Sequence, residues 1–229
     1  MIISHKHKFI FIKTKKTAGT TLEILLSTIC GKNDIITPIS SEDEQLRKKL
    51  GGLPPQNYYM PFSSYKKLDW YRFLTKREKK KFYNHITAEE IKSNINQKVW
   101  QDYFKFCFER NPWDKTISLF YYKQGYKKYK NIYDYIYAGE LSTIKGFDSY
   151  TINRIVAVDK IYKMENMDEA LKDISTRLKL NNELKSPRFK AKGSSRKDKR
   201  SYKEILNQEE KKLIDIVFAR EINLLNYHF

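Results

Sequence analysis

Within one short turn the chain places Lys13, Lys15 and Lys16 ahead of Thr17, Ala18, Gly19, Thr20 and Thr21. Cations, small hydroxyl side chains and a flexible glycine at the start of a helix, where backbone N–H groups lack partners, make an anion site suited to phosphate or sulfate. The spacing departs from the nucleotide-triphosphate loop, which needs a first glycine near Thr14 and a lysine directly after Gly19. An ordinary ATPase or kinase reading therefore loses its main support. A second candidate anion site is Arg110, Asn111, Pro112, Trp113 and Asp114, where a guanidinium at a helix start can grip phosphate through its planar fork. Between the two stands His85, whose imidazole titrates near neutrality and can accept a proton from an attacking hydroxyl.

These side chains need elements to hold them. Phe9 to Ile12 is an uninterrupted apolar run of β-formers, the pattern of a strand buried on both faces of a parallel sheet. Leu22, Leu25, Leu26 and Ile29 then recur at helical spacing, with Thr20 or Thr21 as N-cap. Thr87 and Glu90 form a capping box, so a helix begins at Ala88, with Ile91 and Ile95 on its buried face and His85 just outside it. Tyr103 to Glu109 reads as a second strand, Asn111 as an N-cap and Pro112 as the first residue of a helix running through Ile117, Leu119 and Phe120.

The two motifs resemble those of the PAPS-dependent sulfotransferases, in particular their carbohydrate-type branch. In that family a strand Ile-Phe-Val-His-Ile runs into Pro-Lys-Thr-Gly-Gly-Thr-Ser, a loop that holds the 5′-phosphosulfate of 3′-phosphoadenosine 5′-phosphosulfate (PAPS). Lys16, Thr17, Gly19, Thr20 and Thr21 match that loop, while Lys15 replaces the proline and Ala18 the first glycine. The stretch FERNPWDKTISLFYY is similar to Phe-Val-Arg-Asn-Pro-Trp-Asp-Arg-Leu-Val-Ser-Leu-Tyr-Tyr, the family's segment for the 3′-phosphate.

The resemblance implies a single α/β domain over 1–229, P-loop-like, with a central parallel sheet flanked by helices. It implies donor binding by Lys16, Thr17, Ala18, Gly19, Thr20, Thr21, Arg110 and Ser118, and catalysis by Lys16 and by His85 as base. Glu89 and Glu90 are the alternatives to His85, since some relatives use a glutamate. The basic stretch 185–202 is similar to the family's lid over the nucleotide, with Arg196, Lys197 and Tyr202 as its contacts. The donor would be PAPS, leaving 3′-phosphoadenosine 5′-phosphate (PAP), with no metal. The acceptor would be a hydroxyl, first of all on a carbohydrate or polyanionic glycan.

The rest of the chain reads as scaffold and surface. Residues 38–84 form an irregular, aromatic-rich insertion on the expected substrate side, with short helices at Glu42–Leu50 and Thr75–Phe82. Tyr133, Ile136 and Tyr137 read as core packing, and Ile155–Met164 as a strand or strand pair ahead of a helix whose apolar face begins at Met167. A last helix spans Asn207–Leu225, with Leu213, Ile216, Val217, Ala219 and Ile222 inward.

A net charge of +18, from 45 Lys and Arg against 27 Asp and Glu, favours anionic partners without choosing among them. Cys30 and Cys107 lack metal-ligand spacing, and no apolar run reaches the length of a membrane span. With no secretory signal legible either, the expectation is a cytoplasmic protein without a membrane anchor. Two rivals compete with sulfuryl transfer. A nucleotide-dependent phosphotransferase would need a metal-binding acid beside the loop. A basic nucleic-acid-binding protein would leave the pairing of the two motifs unexplained.

Overall fold

The computed structural model describes residues 1–144, 146–186, 196 and 198–229, so the expected contact Lys197 lies outside the described residues. β1 (Ile2–Ser4) and β2 (Phe9–Ile12) form an antiparallel hairpin, and β3 (Ile35–Ile36) lies antiparallel to β1. β4 (Phe104–Glu109) runs parallel to β2. β5 (Thr151–Ile152) and β6 (Ile155–Val156) make a separate hairpin, after which β7 (Lys160–Lys163) returns to lie parallel to β4. The main sheet has the order β3-β1-β2-β4-β7. Its centre is parallel as expected. The expectation of a parallel sheet fails at the β1/β3 edge, because β1 returns into β2 through a turn too short for a crossover.

Between β2 and β3 lies α1 (Gly19–Ser27). Between β3 and β4 lie α2 (Ser41–Lys49), α3 (Lys67–Lys76), α4 (Ala88–Asn94) and α5 (Gln97–Asp102). α6 (Pro112–Tyr122) and α7 (Ile132–Tyr137) follow β4, and α8 (Met167–Arg177), α9 (Tyr202–Ile205), α10 (Gln208–Val217) and α11 (Ala219–Leu225) follow β7.

Strand alternation splits the core. Phe9 and Phe11 of β2, with Phe106 and Phe108 of β4, pack against Leu22 and Leu26 of α1 and Leu171 and Ile174 of α8. Ile10, Ile12 and Cys107 point the other way, into a cluster with Ile86, Ala88, Ile91 and Trp100. With helices on both faces, the whole Phe9–Ile12 run is buried, which is why it carries no polar residue. A third cluster joins α6, α7 and α10 through Ile117, Phe120, Tyr135, Ile214 and Phe218.

Several expected boundaries move. α1 starts at Gly19 behind Ala18, which sits in the left-handed region at φ 57°, so the cap is neither Thr20 nor Thr21, and Ile29 lies beyond the helix end. Of the helix expected over 75–82 only Thr75 and Lys76 are helical, as the last residues of α3. α3 comes earlier and stops where Arg77 turns left-handed at φ 54°, and Tyr59 then pairs with Lys81 in an antiparallel bridge. α2 matches its expected span but is not simply solvated, since Asp43 and Arg47 are buried. In α7 the inward residues are Ile132, Tyr135 and Ile136, while Tyr137 is 78% exposed. Phe218 divides the last helix in two; it is buried with Ile214, whereas Ile216 and Ala219 face solvent.

Candidate active site

The parallel pairing of β2 with β4 sets Ile12 opposite Cys107, so the loop after β2 and the Arg110 turn after β4 leave the same end of the sheet side by side. That carboxyl edge is where open α/β sheets bind ligands. The loop is stitched to its neighbours through its backbone and small hydroxyls. Thr14 Oγ1 donates to the carbonyl of Phe108 in β4 and lies 2.8 Å from Thr17 Oγ1. Arg110 Nη1 donates to the carbonyl of Lys16 at 3.4 Å. From the other side His85 Nδ1 meets the carbonyl of Lys13 at 3.0 Å.

The three loop lysines diverge. Lys13 turns inward, fully buried, and donates to Glu23 of α1 at 2.7 Å. Burial works against the charged Glu23 carboxylate, but the Met1 ammonium and Lys13 outweigh it and hold its pKa down to about 2. Lys15 is exposed. The Lys16 ammonium lies 3.8 Å from the centroid of the Tyr122 ring, which gives it a cation–π partner at the end of α6. Lys16 and Ala18 both take positive φ, 62° and 57°, so the loop curls tightly into α1. The first amide of the helical ladder is Leu22, donating to Ala18, so Gly19 and Thr20 stand ahead of it at the positive end of the helix. Gly19 is required by proximity. A Cβ there would sit 2.7 Å from Lys13 Cγ and 3.3 Å from the Thr14 carbonyl. Thr20 is half-buried, and Thr17 and Thr21 are buried.

Arg110 is held by Asp114, one helical turn on, through Nε at 2.9 Å and Nη2 at 2.5 Å. Arg196 reaches the other oxygen of the same carboxylate at 2.6 Å. Burial opposes the charge on Asp114, but the two guanidiniums outweigh it and hold its pKa below the usual carboxylate range. Asp114 thus balances two cations at a site that could accept an anion. Its i, i+4 spacing from Arg110 is the signal that would have found it in the sequence. Ser118 lies one further turn along the same face of α6, half-buried, its hydroxyl without a hydrogen-bond partner among the described residues. Tyr202 stacks on Trp113, the ring centroids 6.0 Å apart. Glu165, to which the sequence gives no role, caps the Arg110 turn by accepting from Asn111 N at 2.7 Å.

His85 is half-buried and takes φ 64°, just before the Thr87–Glu90 capping box that starts α4. Because a carbonyl can only accept, Nδ1 carries the proton and Nε2 keeps its lone pair. Burial, and after it the Lys13 cation, hold the imidazole pKa down to about 4, so it is neutral at pH 7. Glu90 is committed to the capping box and to the Tyr83 hydroxyl at 2.7 Å, and Glu89 is exposed. A cleft of about 300 Å³ opens between α3 and α4 beside this turn, with Arg72, Lys80, Tyr83, Ile86 and Glu90 in its wall. Among the described residues no cluster of His, Cys, Asp or Glu could hold a metal ion, and no helix is long and apolar enough to cross a membrane.

The structure therefore brings together Lys16 to Thr21, Arg110 and His85, and links Arg196 to them through Asp114. Among known proteins, the chain is similar to an uncharacterized protein of Archaeoglobus fulgidus, 30% identical over 104 residues, covering 43% of this chain and 87% of that protein. No solved structure matches it. The model of the Sulfotransferase family matches residues 1–228, and the chain belongs to that family.

Proposed function

We propose that this sulfotransferase moves a sulfuryl group from PAPS to an acceptor hydroxyl, with a carbohydrate as the acceptor class. What supports the reading is that one loop backbone holds both the proposed base and the proposed donor-binding arginine: His85 on the Lys13 carbonyl and Arg110 on the Lys16 carbonyl. The donor set fits a ligand with an anion at each end. One end would meet Lys16, the helix start at Gly19 and Thr20, and the hydroxyls of Thr17 and Thr21. The other would meet Arg110 and Ser118, with Arg110 leaving part of its fork on Asp114.

PAPS would supply the electrophilic sulfuryl group and a phosphate leaving oxygen. The chain supplies the rest. His85 accepts the acceptor's proton at Nε2 while Lys13 O fixes the ring through Nδ1–H. Lys16 and the amides at the start of α1 stabilise charge that grows on the leaving oxygen. Arg110 fixes the donor's orientation, which turns a bimolecular encounter into a positioned one. Arg196, paired with Asp114, and Tyr202 would cover the nucleotide end of the donor, while 187–195 and 197 of the expected lid lie outside the described residues. The whole chain, on this reading, works as one domain.

Calorimetric titration with PAP tests the proposal. PAP should bind, AMP should bind at least tenfold more weakly because it lacks the 3′-phosphate, and Arg110→Ala should remove that preference, a loss of about 2 kcal/mol. Equal affinity for PAP and AMP in the wild-type protein would overturn the donor assignment.

A further inference from the structure

Outside the site, α3 is out of keeping with the rest of the molecule. It is a helix of ten residues of which none is buried. Leu68, Trp70, Tyr71 and Leu74 are 57%, 40%, 61% and 74% exposed. Their spacing makes one stripe, since Leu68, Tyr71 and Leu74 follow at i, i+3 and Trp70 meets Leu74 at i, i+4. Beside the stripe Phe73 packs on Phe62 and Tyr65, and Trp70 at the edge of the stripe joins them, with ring centroids 5.1 to 6.2 Å apart within that group, so the helix is braced by its own aromatic satellite. Lys80 ties the segment down through Asp69 at 3.0 Å and the Ser64 carbonyl at 2.9 Å. Half of the large hydrophobic side chains exposed among the described residues fall between Tyr59 and Tyr83.

The charge around the stripe is as uneven as its hydropathy. From Lys66 to Lys81 the chain carries eight Lys and Arg against Asp69 and Glu78. An exposed Trp, Tyr and Leu stripe ringed by lysine and arginine is the composition of a helix that lies in a membrane interface. There the apolar side chains enter the acyl boundary and the cations meet anionic headgroups. Nucleic acid would match the cations and stack on Trp70 and Tyr71, but it offers nothing to Leu68 and Leu74, the aliphatic groups that bound the stripe. We propose that α3 docks this protein onto an anionic lipid bilayer, with the Leu68–Leu74 stripe inserted at the interface and the surrounding lysines and arginines on the headgroups.

The docking stands apart from the reaction proposed above. One consequence does rest on that reaction: α3 contributes Arg72 to the wall of the cleft beside the His85 turn, so docking would set the acceptor side at the bilayer and favour a hydroxyl carried on a lipid headgroup.

Tryptophan emission offers a local probe, because Trp100 and Trp113 are only 8% and 2% exposed whereas Trp70 is 40% exposed. Full-length protein is mixed with vesicles of phosphatidylcholine alone or with roughly one-third phosphatidylglycerol, and both co-sedimentation and emission are followed. The expected result is binding to the anionic vesicles with a blue shift that Trp70→Phe removes, and little binding to neutral ones. Leu68→Ser with Leu74→Ser should weaken the partition about tenfold or more, and Lys79→Gln with Lys81→Gln should weaken it only on anionic vesicles. Unchanged melting temperature and PAP affinity in each variant show that the fold and the donor site survive. Equal partition of the leucine variant and the wild type overturns the proposal, as does an oligonucleotide that binds with the same dependence on Leu68 and Leu74. Vesicle binding without PAP binding would keep the docking and remove the reaction; the converse would do the opposite.

Discussion

The loop between β2 and α1 and the helix α3 are both rich in basic residues, yet the fold treats them in opposite ways. In the loop three side chains are tied to three different elements: Lys13 to α1, Thr14 to β4, Lys16 to Tyr122 of α6. Two further elements hang from its carbonyls through His85 and Arg110. α3 has no buried residue and is braced mainly by aromatic rings of its own segment. A site that must stabilise charge gains from groups fixed before the ligand arrives, because no reorganisation is then needed at the moment of reaction. A surface that meets a deformable partner has no such need, and its apolar side chains stay outside the core.

If the contrast is right, the loop should be intolerant in function and the elements beneath it intolerant in stability. Lys16→Ala should lower turnover about a thousandfold in a protein of unchanged melting temperature, measured by sulfuryl transfer at saturating PAPS. Turnover within a few-fold of wild type would sink the catalytic assignment. His85→Ala should lower turnover by about 10² to 10⁴ while leaving PAP affinity intact, which separates a base from a binding residue.

Gly146→Ala tests the scaffold under Arg110. A Cβ there would fall 1.5 Å from Glu109 Oε1, and that carboxylate cannot step aside without breaking its 2.8 Å ion pair with Lys115, both side chains being 1% exposed. Overpacking against a buried charge should cost about 3 kcal/mol, seen as a fall in melting temperature of about 10 °C. A fall of under two degrees would mean that the strand end has slack.

His85 joins the site to stability through pH. Its pKa in the folded protein, about 4, lies below the ordinary 6.5. Between these values the unfolded chain binds more protons than the folded one, so stability rises with pH through the window, levels off above it and is lost as pH falls toward 4. The contribution is up to about 3 kcal/mol, reduced by the ring's partial exposure. Denaturant midpoints of wild type and His85→Gln at pH 7 and pH 5 isolate it: the wild type should lose more on acidification. For the same reason the acid limb of kcat/KM, which reports the free enzyme, should fall well below pH 6. A limb near 6.5 would place the titrating base elsewhere.

What the sequence made legible follows from how locally each feature is encoded. The run Phe9–Ile12 is unbroken because both faces of the sheet are covered, and Phe104–Glu109 keeps four apolar residues around Lys105, so two strands and the loops after them could be read directly. Asn111 and Thr87 are caps whose chemistry is complete within three residues. The left-handed Ala18 was not legible. Alanine is a helix former, and only the packing of the loop forces it into the conformation for which glycine is usual. Asp114 in the first turn of a helix looks like a partner for the dipole until Arg196, from a distant segment, is seen on its other oxygen. The helix expected over 75–82 fails beyond Lys76 for a related reason: its ending depends on Arg77 turning left-handed and on the Lys80 amide donating to the Tyr65 hydroxyl, a contact across fifteen residues.

The smallest expected effect is the most direct check on the contrast. Leu74 is 74% exposed, whereas Leu22 on α1 is 1% exposed among Phe9, Phe11 and Phe106. Leu22→Ala should cost about 2 to 5 kcal/mol, the transfer of the lost methyls plus the cavity they leave. Leu74→Ala should stay within about 0.5 kcal/mol, since it empties no space and replaces one good helix former with a better one. Thermal unfolding of the two variants side by side decides it. A cost at Leu74 above about 1 kcal/mol would mean that α3 is part of the folded core, and the stripe would lose its standing as a surface held in reserve for a partner.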